Sequence, residues 1–301
     1  MKKTAEMAYA KINLSLDVTG RRENGYHEVD GVMQCISLFD EVTVQLEEAE
    51  ALSVVLHAEG NPDMPTDDRN LAVRAARMFF ERIERCCTVE IGLVKRIPMA
   101  GGLAGGSTDA AAVLRACNRL MGDPLTVEEL CTLGARLGAD VPFCIVGGAM
   151  RTQGIGEVLS SVPSMPMCHI VIAKRGEGIS TPWAYGRLDA LYSSFAEGTE
   201  RPCSCLHELL AALEQGDLSG VCAHIYNIFE PVAEECRPDV SLIRRIMVEQ
   251  GAAVSRMSGS GPSVFGVFLQ ERDAQNACSV LREMGAEAHI CHPVAEEFFC
   301  R

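Results

Sequence analysis

Several features that would assign a protein to a common class are missing from this sequence. No apolar run approaches the roughly 20 residues that a membrane-spanning helix needs, and the residues after Met1 include no apolar signal core. Positive charge is scarce, because 27 lysines and arginines stand against 41 aspartates and glutamates, for a formal charge of −14. We therefore expect a cytoplasmic protein that has no membrane span and no nucleic-acid-binding surface.

The cysteines also lack the spacing of a metal site. There are 14 of them, but the pairs Cys86-Cys87 and Cys203-x-Cys205 have no second pair at zinc-finger spacing. A disulfide scaffold is typical of much shorter secreted chains, so we expect reduced thiols that serve as small apolar side chains. The chain has 301 residues, 48% hydrophobic and 23% charged, which is typical of one large or two ordinary globular domains.

One glycine-rich stretch, Pro98 to Asp109, organises the first half of the chain. The preceding residues, 88–94, alternate apolar and polar side chains as a strand does, and the following residues, 110–116, are strong helix formers. Glycines allow backbone amides to turn toward a ligand, and Ser107 or Thr108 is expected to cap the helix. Inward amides beside a helix start predict a phosphate site.

Three other interpretations of this stretch compete with a phosphate site. A Walker loop requires a lysine, and Gly105-Gly106-Ser107-Thr108 contains none. A dinucleotide fingerprint requires glycines at the first, third and sixth positions, and Leu103-Ala104 interrupts that spacing. A flexible surface linker rarely runs straight into so strong a helix. The cations of the first third that could assist phosphate binding are Lys11, Arg21, Arg22, Lys95 and Arg96.

Two further polar positions stand out in the first half. Residues 8–18 alternate as a strand, with Lys11 and Asn13 together on its second face, which forms either a cleft wall or the solvated face of an edge strand. Asp140 lies between a helix stop at Gly138 and an apolar turn at Pro142. It is therefore either a helix N-cap or a general base in apolar surroundings.

The second half predicts an α+β arrangement. The composition changes near residues 160–166, which carry two prolines, and a domain boundary is expected there. Strands and helices then follow in two βαβ-like passages with antiparallel returns, a pattern typical of a ferredoxin-like sandwich. A second glycine loop, Ser258 to Pro262, joins two predicted strands and is either a tight hairpin or a ligand site.

Three stretches, taken in order, resemble motifs of the GHMP small-molecule kinases: Ala8–Leu14, Pro98–Thr108 and Met257–Pro262. Together they span nearly the whole chain. The resemblance implies a two-domain α+β fold, with a ribosomal-protein-S5-like βαβ domain in residues 1–162 and a ferredoxin-like α/β sandwich in residues 163–301. It also implies ATP and Mg²⁺ as cofactors, a small-molecule alcohol as substrate, a monomer or weak homodimer, and no nucleic-acid or membrane partner.

Within this family, Tyr26-His27 and the stretch Leu137–Pro142 resemble the branch whose acceptor is a cytidine diphosphate-linked methylerythritol of isoprenoid biosynthesis. The resemblance implies that Asp140 is the catalytic base and Lys11 its partner, which agrees with phosphoryl transfer by positioning and charge stabilisation. It further implies that Tyr26 stacks on cytosine while His27 binds the edge of the base.

The resemblance extends to the remaining site residues. The implied ATP-binding residues are Pro98, Met99, Ala100, Gly101, Gly102, Leu103, Ala104, Gly105, Gly106, Ser107 and Thr108. The implied substrate-binding residues are Asn13, Tyr26, His27, Thr181, Tyr185, Gly259, Ser260 and Gly261. Trp183 competes with Tyr185 for the second stacking position, and Ser107 or Thr108 is expected to ligate Mg²⁺. Ala104 stands where many of these kinases have glycine, at little cost if its φ is negative.

Two alternative functions remain compatible with the same residues. Another GHMP kinase, acting on a mevalonate-type or homoserine-type alcohol, would share the glycine loops. A non-catalytic nucleotide-binding protein on the same scaffold is the other alternative, but it would need neither Lys11 nor Asp140.

Overall fold

The structure, a computed structural model, describes residues 2–192 and 205–295. The strands of these residues are β1 (Lys2–Arg21), β2 (His27–Glu48), β3 (Ser53–Glu59), β4 (Cys87–Val94), β5 (Ala149–Gly154), β6 (Val158–Ser161), β7 (His169–Lys174), β8 (Tyr226–Asn227), β9 (Val254–Met257), β10 (Val264–Phe268) and β11 (Glu287–Cys291). The helices are α1 (Leu71–Arg82), α2 (Gly105–Leu120), α3 (Val127–Ala135), α4 (Val141–Val146), α5 (Thr181–Leu191), α6 (Leu206–Gln215), α7 (Leu218–His224), α8 (Glu230–Cys236), α9 (Pro238–Glu249) and α10 (Glu271–Glu283).

The first sheet is built on the long antiparallel pair β1–β2. Its strand order is β3-β4-β2-β1-β8, and β5 with β6 extends it from the other part of β2. The predicted alternation in β4 is confirmed, because Val89, Ile91 and Leu93 are buried. Helices α1 and α2 cover one face of this sheet, where Phe79 and Phe80 are fully buried in the core. Burial of that face fixes the position of the glycine-rich segment between β4 and α2.

The second sheet has the antiparallel order β11-β7-β10-β9. If the four strands of this sheet are numbered as they occur along the chain, their order across the sheet is fourth, first, third, second. This is the strand order of a ferredoxin-like sheet, so the ferredoxin-like prediction is confirmed. The chain also returns once to the first sheet, because β8 pairs in parallel with residues 15–16 of β1. The domain division near residue 163 stays a prediction.

The start of α2 differs from the expectation. Its N-cap residue is Ala104, no side chain caps the helix, and Ser107 and Thr108 lie inside the first turn. Thr108 instead donates its hydroxyl to the carbonyl oxygen of Tyr9, at 2.8 Å. Ala104 has φ 58°, so the condition of a negative φ, under which an alanine would cost little, is not met. The first intrahelical bond joins the backbone N–H of Thr108 to the carbonyl oxygen of Ala104, so the amides of Gly105, Gly106 and Ser107 have no partner within the helix.

The cysteines of the described ranges are free thiols, as expected. None of the described helices has both the length and the apolar character needed to cross a membrane.

Candidate active site

The two glycine loops, residues 98–108 and residues 258–262, meet backbone to backbone. A Cβ on Gly102 would lie 2.1 Å from the carbonyl oxygen of Ser258, and a Cβ on Gly259 would lie 2.9 Å from the carbonyl oxygen of Gly102. Both residues also have positive φ, 77° and 58°. Glycine is therefore required at each position for a steric and a conformational reason.

Hydrogen bonds from outside the first glycine loop hold its carbonyl groups. Ser258 donates its hydroxyl to the carbonyl of Gly102 at 2.9 Å, and the backbone N–H of Ser263 donates to the carbonyl of Gly101 at 3.1 Å. In a trans peptide the C=O and the following N–H point in opposite directions. The amides of Gly102 and Leu103 therefore point away from the second glycine loop.

The ends of the same segment are held in a similar way. The backbone N–H of Lys11 donates to the carbonyl of Leu103 at 3.2 Å, and Lys174 donates its ammonium to the carbonyl of Met99 at 2.5 Å. Residues 100–107 line a cavity of 420 Å³. The described lining does not include Pro98, Met99 or Thr108, so the central residues of the implied ATP set face the cavity and these three lie behind or beside it.

Lys11, Asn13 and Asp140 come together on the wall of this cavity. The ammonium of Lys11 lies 2.7 Å from Oδ1 of Asn13 and 3.7 Å from Oδ2 of Asp140. Lys11 and Asn13 are only 4% and 3% exposed, so they form a cleft wall and the edge-strand alternative is wrong. Asp140 occupies the N-cap position of α4, but its side chain makes no capping bond and is available to the cavity.

The second glycine loop is fixed to this wall. The amide of Gly259 donates to Oδ1 of Asn13 at 3.0 Å, and Asn227 donates to the carbonyls of Met257 and Gly259. The hydroxyls of Thr181 and Ser260 lie 3.1 Å apart. Ser258 to Pro262 is therefore more than a hairpin, because it joins β1, α5 and the first glycine loop at one cavity.

A second cavity of 670 Å³ adjoins the first. Tyr26, His27 and Tyr185 contribute its aromatic lining. Five residues border both cavities: Ser107, Asp140, Ile155, Thr181 and Tyr185. Asp140 thus lies at the junction between a glycine-lined cavity and an aromatic-lined one.

His27 is held by two residues of α5. Its Nε2 lies 2.7 Å from Oδ1 of Asp189, and its ring stacks on Tyr185 with centroids 4.6 Å apart and an interplanar angle of 28°. Burial raises the pKa of Tyr185 to about 12, so its hydroxyl stays protonated at neutral pH. Trp183 is 41% exposed and is absent from the described lining of both cavities. Of the two candidate aromatics, Tyr185 is the one at the cavity.

A buried cluster of charged side chains lies behind the first glycine loop and was not predicted from the sequence. The ammonium of Lys95 lies 2.5 Å from Oδ2 of Asp40 and 2.7 Å from Oδ2 of Asp109. Oδ1 of Asp40 accepts the backbone N–H groups of Arg96 and Ile97. The cluster therefore ties β2, the end of β4 and the start of α2 together. The sequence marks Lys95 only as a cation near the glycine loop, and nothing in the local pattern around Asp40 or Asp109 identifies them as its partners.

Two details connect this cluster to the loop. A Cβ on Gly105 would lie 3.0 Å from the ammonium of Lys95, so the lysine packs directly behind the loop. Burial, followed by the charge of Asp40, raises the pKa of Asp109 to about 7, although Lys95 opposes the shift. Oδ1 of Asp109 is buried and has no hydrogen-bond partner among the described residues.

Ser107 is the main candidate for a protein ligand to a divalent metal ion in this site. The described residues contain no group of three or more His, Cys, Asp or Glu side chains arranged to hold a metal ion. Ser107 borders both cavities, whereas the hydroxyl of Thr108 is buried against Tyr9. Of the two expected hydroxyl ligands, only Ser107 is in a suitable place. Such a sparse protein contribution is compatible with Mg²⁺, which commonly keeps water and phosphate ligands.

Comparisons with known families agree with this geometry. The family model described as "GHMP kinases N terminal domain" matches residues 70–148, and "GHMP kinases C terminal" matches residues 209–287. The chain is 38% identical over 292 residues to the 4-diphosphocytidyl-2-C-methyl-D-erythritol kinase of Caldicellulosiruptor saccharolyticus, covering 97% of each chain. It is 39% identical over 293 residues to the protein of that name from Bacillus velezensis, again over 97% of each.

Solved structures show the same relationship. A crystal structure of 4-(cytidine 5′-diphospho)-2C-methyl-D-erythritol kinase matches with a TM-score of 0.78 and 32% identity, covering 96% of this chain and 99% of that one. A homoserine kinase from Cytophaga hutchinsonii matches with a TM-score of 0.74 over 98% of this chain and 95% of that one. Its identity is only 17%, so that likeness concerns the fold alone.

Proposed function

The chain belongs to the 4-diphosphocytidyl-2-C-methyl-D-erythritol kinase family of the GHMP kinases, and on that premise we propose that it phosphorylates the substrate after which its relatives are named. The reaction transfers the γ-phosphoryl group of ATP to the 2-hydroxyl of the methylerythritol unit and yields the 2-phosphate and ADP. This is a step of non-mevalonate isoprenoid precursor biosynthesis.

The glycine-lined cavity suits the nucleotide. Loop residues 100–107 border it, and the carbonyls of Gly101 and Gly102 are already held by other donors. Backbone amides that point away from these held carbonyls are suitable donors for phosphate oxygens, and the start of α2 adds a favourable dipole. When bound, Mg²⁺ neutralises phosphate charge, and the hydroxyl of Ser107 is the protein group that would help to hold it.

Asp140 and Lys11 suit the chemical step. The acceptor oxygen forms a bond to the γ-phosphorus, the bond to the bridging oxygen of ADP breaks, and the hydroxyl proton passes to Asp140. The ammonium of Lys11, 3.7 Å from Asp140, stabilises negative charge on the attacking oxygen. Asn13 holds that ammonium at 2.7 Å and thereby sets its position.

The aromatic-lined cavity suits the cytidine end of the acceptor. Tyr26 is 59% exposed at the rim, and Tyr185 is partly buried where the same cavity meets the glycine-lined one. A pyrimidine stacked on an aromatic side chain gains about 1–3 kcal/mol per stack. His27, which Asp189 orients through Nε2, contributes a polar edge within reach of the base.

The single observation that carries this proposal is the position of Asp140 at the junction of the two cavities. A carboxylate there contacts both a phosphate donor and an alcohol that enters from the aromatic side. Purified protein should release ADP with ATP and the cytidine-linked alcohol, measured by a coupled assay. ADP release with mevalonate or homoserine, and none with the cytidine-linked alcohol, would overturn the proposal.

A further inference from the structure

Lys174 is the last residue of β7, at the edge of the second sheet that touches the first glycine loop. Its ammonium donates a hydrogen bond to the carbonyl oxygen of Met99, and its Cδ would lie 3.4 Å from a Cβ on Gly101. Ser263, the residue before the neighbouring strand β10, contacts the same loop, because its backbone N–H donates to the carbonyl of Gly101. The second sheet therefore supports the loop from the side opposite the cavity.

The Met99–Ala100 peptide depends on this support. Ala100 has φ 50°, a left-handed conformation that is sterically unfavourable for a residue other than glycine. Such strain persists only where the surroundings determine the conformation. Because the carbonyl of Met99 is held by Lys174, the N–H of Ala100 points the opposite way, and Ala100 borders the glycine-lined cavity.

Lys174 also differs from Lys95 in the number of carboxylates near its ammonium group. Lys95 contacts two carboxylates, whereas no carboxylate of the described residues lies within ion-pair distance of Lys174. Burial lowers the pKa of Lys174; Glu287, which faces it on β11, opposes the shift, and Arg237 adds to it.

We propose that Lys174 is a positioning residue for the phosphates of ATP. It fixes the Met99–Ala100 peptide so that the amide of Ala100 faces the cavity, and it places behind the loop an ammonium group with no carboxylate of the described residues within ion-pair distance. The residue acts through the loop, because it does not border the described cavity. This inference rests on the proposed function in one respect, namely that the glycine-lined cavity binds the nucleotide.

A merely structural lysine would give a different result from a positioning one. Loss of general packing would weaken the binding of every ligand and lower the stability of the protein. Loss of one phosphate-facing amide and one nearby charge affects only ligands that carry phosphates. Adenosine, ADP and ATP therefore separate the two roles, because they share the nucleoside and differ in phosphate.

The test is isothermal titration of the full chain with adenosine, ADP and ATP, without acceptor. Lys174→Met should weaken ADP and ATP binding roughly 10- to 100-fold, the range expected for one charge-assisted hydrogen bond, and leave adenosine binding within about twofold. Lys174→Arg should recover part of the loss. Arg175→Met removes a charge from the adjacent exposed residue and should match the wild type.

Equal losses for adenosine and ATP, or unchanged binding of all three, would overturn this inference. If Lys174→Met is too unstable to titrate, Lys174→Gln takes its place with the same two outcomes. A wild-type protein that binds ATP but phosphorylates no cytidine-linked alcohol contradicts the proposed function alone, and the comparison of variants is still decisive for Lys174.

Discussion

The ammonium of Lys11 and the carboxylate of Asp140 are 3.7 Å apart, which is within ion-pair distance but longer than a direct charged hydrogen bond. The Lys11 side chain is 5% exposed and that of Asp140 is 36% exposed. The lysine is thus fixed in the wall while the aspartate reaches the cavity. This difference suits a base that must meet an incoming hydroxyl beside a stationary cation.

Asp140→Asn should therefore lower kcat by about 10²- to 10⁴-fold, the usual contribution of a positioned general base. ATP binding should change little, because the amides of the first glycine loop are not altered. Steady-state kinetics and ATP titration measure the two effects separately. Glu214→Gln, on the exposed face of α6, is the matched control. Full turnover by Asp140→Asn would show that the base lies elsewhere.

Tyr26→Ala should raise the KM for the cytidine-linked alcohol by roughly 5- to 150-fold, which corresponds to about 1–3 kcal/mol for one lost stack. The KM for ATP should stay within about twofold, because Tyr26 borders only the aromatic-lined cavity. Trp183→Ala removes an exposed aromatic outside both described linings and should behave as the wild type. Equal losses for ATP and acceptor in Tyr26→Ala would argue against cytosine stacking.

Ala104→Gly should stabilise the protein by about 1 kcal/mol, because glycine adopts the left-handed conformation at φ 58° without the steric cost of a Cβ. Part of that cost is offset by the greater entropy of glycine in the unfolded chain. Urea unfolding measures the change. Ala135→Gly, at the exposed end of α3, serves as the control and should destabilise by about 0.5–1 kcal/mol. A destabilised Ala104→Gly would contradict the assigned conformation.

Asp109→Asn should flatten the dependence of stability on pH. The pKa of Asp109 rises from 3.8 to about 7 on folding, so between these values the unfolded chain loses its proton first. The free energy of unfolding of the wild type therefore falls as pH rises through this window. Asparagine cannot ionise, and the variant should gain stability relative to the wild type from pH 4 to pH 7.

Urea unfolding at intervals across that window tests this coupling. Asp123→Asn, in the exposed turn after α2, is a control whose difference from the wild type should not follow the same curve. A constant difference between Asp109→Asn and the wild type from pH 4 to pH 8 would mean that Asp109 ionises normally behind the loop.

Local patterns were sufficient to predict most of the elements and much of the site. The alternation in β4, the helix formers of α2 and the polar face of β1 each depend on neighbouring residues in the sequence. The glycines of the two loops also stand out as local clusters in the sequence. The alternation in β1 places Lys11 and Asn13 on one face, whereas the family resemblance, and no local pattern, singles out Asp140 and Tyr185. All four residues border the described cavities.

The remaining features depend on distant partners. Nothing near Asp40 indicates that it binds Lys95, and nothing near Lys174 indicates a bond to the carbonyl of Met99. The φ of Ala104 follows from how the loop enters α2, and a one-residue pattern does not determine it. The capping prediction for Ser107 and Thr108 was wrong for a similar reason, because Tyr9 on β1 accepts the hydroxyl of Thr108.

The contact between Gly102 and Gly259 has a consequence for how such a sequence can diverge. A side chain at either position would collide with the backbone of the other loop, so a change in one loop is tolerated only if the other loop shifts with it. We expect homologues that replace one of these glycines to carry a compensating change in the opposite motif. The two loops are far apart along the chain, but their sequences are expected to change together.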